Sequence, residues 1–550
     1  MSPYGPGLIR CPVPMEAANH QSVPANVEIR AAFSECRQRW TESLFIDPLG
    51  HPQAYDTALT VQTHDADAVE AELVTRPKAG GGTRLEIVPD CLTSLRLQTV
   101  ARQMRDRIFP SPHSVLSAHS PGAQQYALWS ETIPLWIRQR LVDGKTVLVA
   151  DVENYFGSVP QALIRNALAH AGLDDTTVEN VTDTITRINS IPDRAGATRT
   201  GLPVSQDDLF WYVADLVLRP VDQRLAQHAG IAGYLRWVDD FFIAVDDTAA
   251  TSTALRALSA ALAPMGLRLN LSKTRVLTSL PQYDREFLTH QHRTVSSLRL
   301  TSQRAPLSKS QRQAFERLCE LERIQSAEHG RLWKRIYALA AHLRSCALAS
   351  EAINDFTHFP TAEAQISTYL EAVNWPDGTA TQAAELLLNR ATTDTQAINL
   401  LQRLLASQRS NEHQARSALS GLLASSRGDI HPYTLSLVHA FLAAGVSADQ
   451  YAAADQERLI PLATDSTSPM ARRLAIQLLW LIPRKRAVLE AQIGNDPSYT
   501  VRSLANLLPD GSHATTHFRP ATHTHRSVPT VSLSARDAAA NSRGICLRVD

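Results

Sequence analysis

The stretch "GYLRWVDDFFIAV" (233–245) places two adjacent carboxylates, Asp239 and Asp240, inside an otherwise apolar, strand-like run. Burying a carboxylate is expensive unless it is paired or bound to a metal. Taken alone, an Asp–Asp pair reads most simply as a turn or a helix cap. The apolar flanks "YLRWV" and "FFIAV" argue against a solvated loop. A β-hairpin carrying the acids at its tip resolves the conflict.

A second acid has the same setting. "KTVLVADVENYF" (145–156) starts as a continuous apolar strand and reaches Asp151. If the two strands are neighbours in one sheet, Asp151 and Asp239 converge at one end. Carboxylates held close together with no basic partner repel, and a divalent cation removes the repulsion. Hard oxygen donors favour Mg²⁺, with Mn²⁺ as the alternative. Two metals held by such acids activate a 3′-hydroxyl and stabilise a leaving pyrophosphate.

The surrounding pattern is mixed. The first fifty residues are Pro-rich at the start, and 60–75 read as acidic and helical. "TRPKAGGGTRLEIVPD" (75–90) reads as a β-hairpin with glycines at its tip. Helices are expected over 93–109, 160–172, 208–228 and 250–270, and a short strand or hairpin over 269–277. Strands alternating with helices, with acids at the strand ends, give an α+β layout. Beyond about 305 only amphipathic helices remain. "SPMARRLAIQLL" (468–479) and "PSYTVRSLANLL" (497–508) align with a period of 30, and "EHQARSALSGLL" (412–423) is a looser copy. That period fits a HEAT-like helical solenoid, with a non-repetitive bundle as the alternative. The tail 511–550 is rich in Ser, Thr, Ala and His and reads as disordered; its histidines could bind metal, though a solvated tail is the simpler reading.

A chain of 550 residues has room for two to four domains. Lys+Arg and Asp+Glu both number 54, which excludes a globally basic nucleic-acid binder but not a local basic groove. Six widely spaced cysteines without a CxxC read as reduced thiols. There is no signal-peptide pattern and no apolar run long enough to span a bilayer, so a cytoplasmic protein without membrane partners is expected.

Four blocks, in order, resemble those of reverse transcriptases. They are "DVENYFGSV" (151–159), "GLPVSQDDLFWYVADLVLRPVD" (201–222), "RWVDDFFI" (236–243) and "LNLSKTRVL" (269–277). Upstream, "RPKAGGGTRLEIVP" resembles the fingers hairpin of group II intron-type and retron-like prokaryotic enzymes. The resemblance spans about 75–285. It implies an α+β right-hand polymerase with fingers and palm, followed by an all-α helical-repeat domain. The expected divisions are an N-terminal segment (1–55), fingers (56–135), palm (136–285), a thumb-like helical connector (286–360), helical repeats (361–510) and the tail (511–550).

The resemblance also implies roles. Asp151, Asp239 and Asp240 match the catalytic acids that hold Mg²⁺, with the Val152 carbonyl as a further ligand. Lys78 and Arg84 match residues that contact the incoming triphosphate, as cations suit a phosphate. Phe156 matches the steric gate that favours deoxynucleotides; plain core packing is its alternative. Lys273 matches the lysine of the fourth block, where it would assist protonation of pyrophosphate or simply be exposed. Expected partners are dNTPs, an RNA template or associated non-coding RNA, and the DNA product, with a homo-oligomer as an open state.

The chain also departs from the family. Ser205 stands where relatives have Gly, Asp207–Asp208 follow, a usual Ser is missing, and Trp237 replaces a Tyr. No zinc-finger or HNH pattern follows the polymerase, which argues against an ordinary mobile-intron enzyme. A palm followed by helical repeats resembles the defence-associated, abortive-infection group. In that group some members polymerise without a conventional template and some prime from a protein hydroxyl, for which Tyr433, Tyr451 and Tyr499 are candidates here. The expected function is RNA-directed DNA synthesis in bacterial antiviral defence. The alternatives are template-independent or protein-primed DNA synthesis, and a catalytically silent RNA-binding scaffold. Arginines repeating along the helical array would either line a nucleic-acid groove or pair within the repeats.

Overall fold

The computed structural model describes residues 31–32, 35–36, 69–78, 82–105, 107–108, 111–116, 122–193, 196–205, 207–376, 378–388, 396–397, 399–400, 403, 460–466, 469–480, 486–502 and 504. Most of the N-terminal segment up to 55, the looser repeat copy at 412–423, Tyr433, Tyr451 and the tail with its histidines lie outside the described residues, as does the Tyr499 side chain. The fold is mixed α/β and mostly helical. The described residues divide into two compact units. One lies within Met1–Trp40, Leu49–Leu73 and Glu86–Arg285, the other within Thr41–Pro48, Val74–Leu85 and Glu286–Asp550.

Strands β1 (Ala71–Pro77) and β2 (Thr83–Pro89) form a two-stranded sheet. The expectation of helix through residue 75 therefore fails over 71–75. Pairing with β2 outweighs the strong intrinsic helix preference of Ala71, Glu72 and Leu73. The outer part of this hairpin, Val74–Leu85, groups with the second unit.

The first unit is built on β3 (Thr146–Asp151), β4 (Gly233–Trp237), β5 (Asp240–Val245) and β6 (Arg275–Leu277), in the order β4-β5-β3-β6. All three pairings are antiparallel. β3 has neighbours on both edges, and its run Val-Leu-Val-Ala is apolar throughout, as an interior strand requires. The helices Gly122–Val142 and Thr251–Leu262 pack on this sheet. The helix Gln161–His170 ends before Gly172, whose φ of +76° supplies the left-handed stop that the sequence signalled. The helix expected over 208–228 is in fact two, Asp208–Val217 and Arg219–Ala226. Pro220 cannot donate the helical hydrogen bond and crowds the preceding turn, so the chain restarts there with the proline in the first turn.

The second unit is helical, and no strand occurs among its described residues after Glu286, as the loss of strand signal beyond 305 implied. Trp333, Tyr337, Phe356, Phe359 and Tyr369 form its aromatic centre. Its period-30 pair is visible in the contacts. Arg472 donates to the Ser466 carbonyl and Arg502 to the Asp496 carbonyl, each six residues back and just ahead of its own helix. Arg472 also makes a buried two-pronged ion pair with Asp496. These arginines therefore serve the joints between helices. An array of them lining a groove is not what Arg472 provides, because it is buried. No helix among the described residues is long and apolar enough to cross a membrane. Cys36, Cys319 and Cys346 are free thiols.

Candidate active site

β3 and β5 bring the acids together. In their antiparallel register Asp151 is the Cα partner of Asp240, and Trp237 pairs with Asp240 across the β4–β5 hairpin. Val238 and Asp239 form the two-residue turn between them. Asp151 is 8% exposed, while Asp239 and Asp240 are half-buried. The acids thus sit at the tip of a hairpin, as the opening stretch demanded. Asp240, and not only Asp239, is the one placed opposite Asp151.

The charges interact. Burial first, and then the carboxylates of Asp240 and Asp151, push Asp239 up to about 8, while Lys273 pulls it the other way. The Lys273 ammonium lies 3.0 Å from Asp151 Oδ2, and its side chain is 61% exposed. Asn270 holds the same aspartate twice. Its amide N–H donates to the Asp151 carbonyl at 2.7 Å and its side-chain amide donates to Asp151 Oδ2 at 3.3 Å. Val152 is buried, bridges to Leu269, and donates its N–H to the Asp239 carbonyl at 3.3 Å.

The three carboxylates, with the Val152 carbonyl that the resemblance adds, would offer hard oxygens, which suit Mg²⁺ or Mn²⁺ in kind. Burial and the repulsion of Asp240 and Asp151 both raise Asp239, and a bound cation would relieve the repulsion. The donors do not form a closed cage, since no group of three His, Cys, Asp or Glu side chains is assembled for a metal among the described residues.

The turn itself is strained. Val238 has φ +53°, a left-handed conformation for a buried β-branched residue. Such a conformation costs on the order of 1–2 kcal/mol. Sequence reasoning passed over the residue that stands behind it. Arg236 in β4 is fully buried and binds two carboxylates, Asp222 through Nε and Nη2 and Asp215 through Nη1, each at 2.8 Å. Burial alone would lower the guanidinium pKa; the two aspartates raise it beyond the ordinary value, so the side chain stays charged. A signal was available: β4 alternates half-buried and buried positions, and Arg236 falls in phase with buried Tyr234.

Phe156 lies five positions beyond Asp151, half-buried, with its ring edge-on to Tyr155 and to Trp211. Its carbonyl accepts from Leu202 N–H at 2.7 Å, which docks the Gly201–Leu202–Pro203 turn against it. Beyond that turn, Ser205, Asp207 and Asp208 have internal partners. Ser205 Oγ donates to Asp207 Oδ2 at 2.5 Å, and Asp208 lies 3.6 Å from Arg105, which also pairs with Glu35. Lys78 and Arg84 are exposed on the β1–β2 hairpin, and Lys78 N–H donates to the Gly82 carbonyl at 3.0 Å to close its turn. Both belong to the second unit, whereas Asp151, Val152, Phe156, Asp239, Asp240 and Lys273 belong to the first.

No protein-family model matches the chain, and no curated protein matches it. Among solved structures it is similar to telomerase from Candida albicans in complex with a TWJ fragment of telomeric RNA, with 13% identity, 64% of each chain covered and a TM-score of 0.27. It is also similar to apo telomerase from Candida tropicalis, with 11% identity, 67% of this chain and 74% of that chain covered, and a TM-score of 0.28. The chain thus spans 64% of the length of the first of these.

Proposed function

We propose that this chain is an RNA-directed DNA polymerase of the reverse transcriptase class, with the right-hand palm in its first unit and helical repeats in its second. The observation that carries this reading is the register of β3 and β5, which sets Asp151 opposite Asp240 with Asp239 in the adjoining turn. Ordered sequence blocks in the family's sequence supply the rest. Bound Mg²⁺ would lower the barrier to attack by a primer 3′-hydroxyl and stabilise the departing pyrophosphate.

Asp151, Asp239, Asp240 and the Val152 carbonyl would hold the ions. Lys273 keeps an exposed cation beside Asp151 and would donate a proton to a leaving phosphate oxygen. Lys78 and Arg84 would meet the triphosphate of an incoming dNTP. The Phe156 ring, held between Tyr155 and Trp211, would exclude a ribose 2′-hydroxyl. RNA is the expected template and DNA the product. A role in bacterial antiviral defence rests on the order of palm and helical repeats alone.

A second reading, template-independent or protein-primed DNA synthesis, is favoured by one observation. The altered second block uses Ser205, Asp207 and Asp208 for internal contacts, so that it offers a different surface to a template. Primer extension with purified protein separates the readings. Incorporation of dNTPs that requires an RNA template and is lost in Asp239→Ala supports the first; incorporation without template supports the second. Absence of incorporation under both conditions, with biological activity intact in Asp239→Ala, overturns both.

A further inference from the structure

We propose that Arg236 is a positioning residue that sets the orientation of Asp239. The inference rests on the reading of Asp239 as a metal-holding acid. Three bonds to carboxylate oxygens anchor the guanidinium, and two more reach carbonyls. Nη2 donates to the Asp215 carbonyl at 3.0 Å, and Nη1 donates to the Val238 carbonyl at 3.3 Å.

The Val238 carbonyl belongs to the peptide that enters Asp239. A peptide is planar, so holding its oxygen holds the plane and the start of the next residue. The peptide that leaves Asp239 is held from the other side, because its carbonyl accepts from Val152 N–H. Asp239 is therefore clamped at both flanking peptides, once by the strand of Asp151 and once by Arg236.

The anchor is itself fixed. Ser114 Oγ donates to Asp215 at 2.6 Å and Ser111 Oγ donates to Asp222 at 3.2 Å. The backbone of 113–115 brackets Arg236, with Arg236 N–H donating to the His113 carbonyl and Val115 N–H to the Arg236 carbonyl. A lysine could not replace this arrangement, since a point charge cannot engage two carboxylates and two carbonyls in one plane. Buried ion networks of this kind contribute little net stability compared with apolar packing, so the return lies in a fixed geometry.

The test is Mn²⁺ binding by the full-length protein, followed by electron paramagnetic resonance titration. Arg236→Lys is expected to weaken binding at least five-fold. Leu258→Ala, a core truncation with a comparable loss of thermal stability, is expected to bind as the wild type does. Should Arg236→Lys not fold, Asp215→Asn keeps an isosteric acceptor while loosening the anchor, and is expected to weaken binding at least two-fold. Unchanged Mn²⁺ affinity in the folded variant overturns the proposal, as does equal weakening in Leu258→Ala. A wild type that binds Mn²⁺ but incorporates no nucleotide sinks the polymerase reading alone; a wild type that binds none overturns both.

Discussion

Gly201 lies against the backbone of Phe156. A Cβ at position 201 would stand 2.3 Å from the Phe156 carbonyl oxygen, and Gly201 has φ +81°. Neither the contact nor the dihedral admits a side chain. Gly201→Ala should therefore cost about 2–4 kcal/mol, combining a left-handed penalty with a backbone clash. Denaturant unfolding measures this, and a loss within about 0.5 kcal/mol would show that the turn does not press on Phe156 as described.

Phe156→Ala removes a half-buried ring from between Tyr155 and Trp211. It should destabilise by about 1–3 kcal/mol, less than a fully buried phenylalanine would. In an active variant the ratio of ribonucleotide to deoxynucleotide incorporation should rise ten-fold or more. An unchanged ratio removes the steric-gate role and leaves only packing.

Lys273 pairs with Asp151 from an exposed position. Exposed pairs contribute about 0–1 kcal/mol, so Lys273→Ala should leave thermal stability nearly intact. Incorporation should nonetheless fall about a hundred-fold, the lower end of the range expected of a lost proton donor. Full activity in Lys273→Ala would reduce this residue to a surface cation.

His292 offers a pH readout in the second unit. Burial, together with the cations of Arg335 and Arg331, lowers it from 6.5 to about 4, and Arg335 donates to its Nδ1 at 3.0 Å. The unfolded chain therefore binds a proton between about pH 6.5 and 4 that the folded chain refuses. Stability is complete above pH 6.5 and falls as pH drops toward 4. In His292→Gln that fall should be shallower over the same window, as thermal melts at stepped pH would record; an identical profile would exclude His292 as its source.

Asp496 accepts both prongs of buried Arg472. Asp496→Ala would strand that charge and should cost about 3–5 kcal/mol. If the melting transition is unmoved, the period-30 joint is not the stabilising contact that its geometry indicates.

The parts of this chain that could be read in advance were those where local pattern and tertiary demand agree. "VLVAD" and "WVDD" are apolar segments with acids at the end, and the sheet makes their strands neighbours, with Asp240 as the register partner of Asp151. The first half of β1 was hidden because Ala71, Glu72 and Leu73 favour helix; pairing with β2 decides their state. The split at Leu218 was signalled by Pro220 but masked by apolar periodicity running through it. Asp215, Asp222 and Arg236 were least legible. They lie on separate elements of the chain, and only folding shows that the three belong to one another.

The pairing of β3 with β5 also bears on how the protein is made. Asp151 and Asp240 are register partners across about ninety residues of chain, a loop whose closure costs entropy before any contact repays it. A nascent chain that has emerged only as far as β3 holds one half of the site and none of its chemistry. If Asp151 and Asp240 act together as proposed, activity can begin only once the sheet has closed.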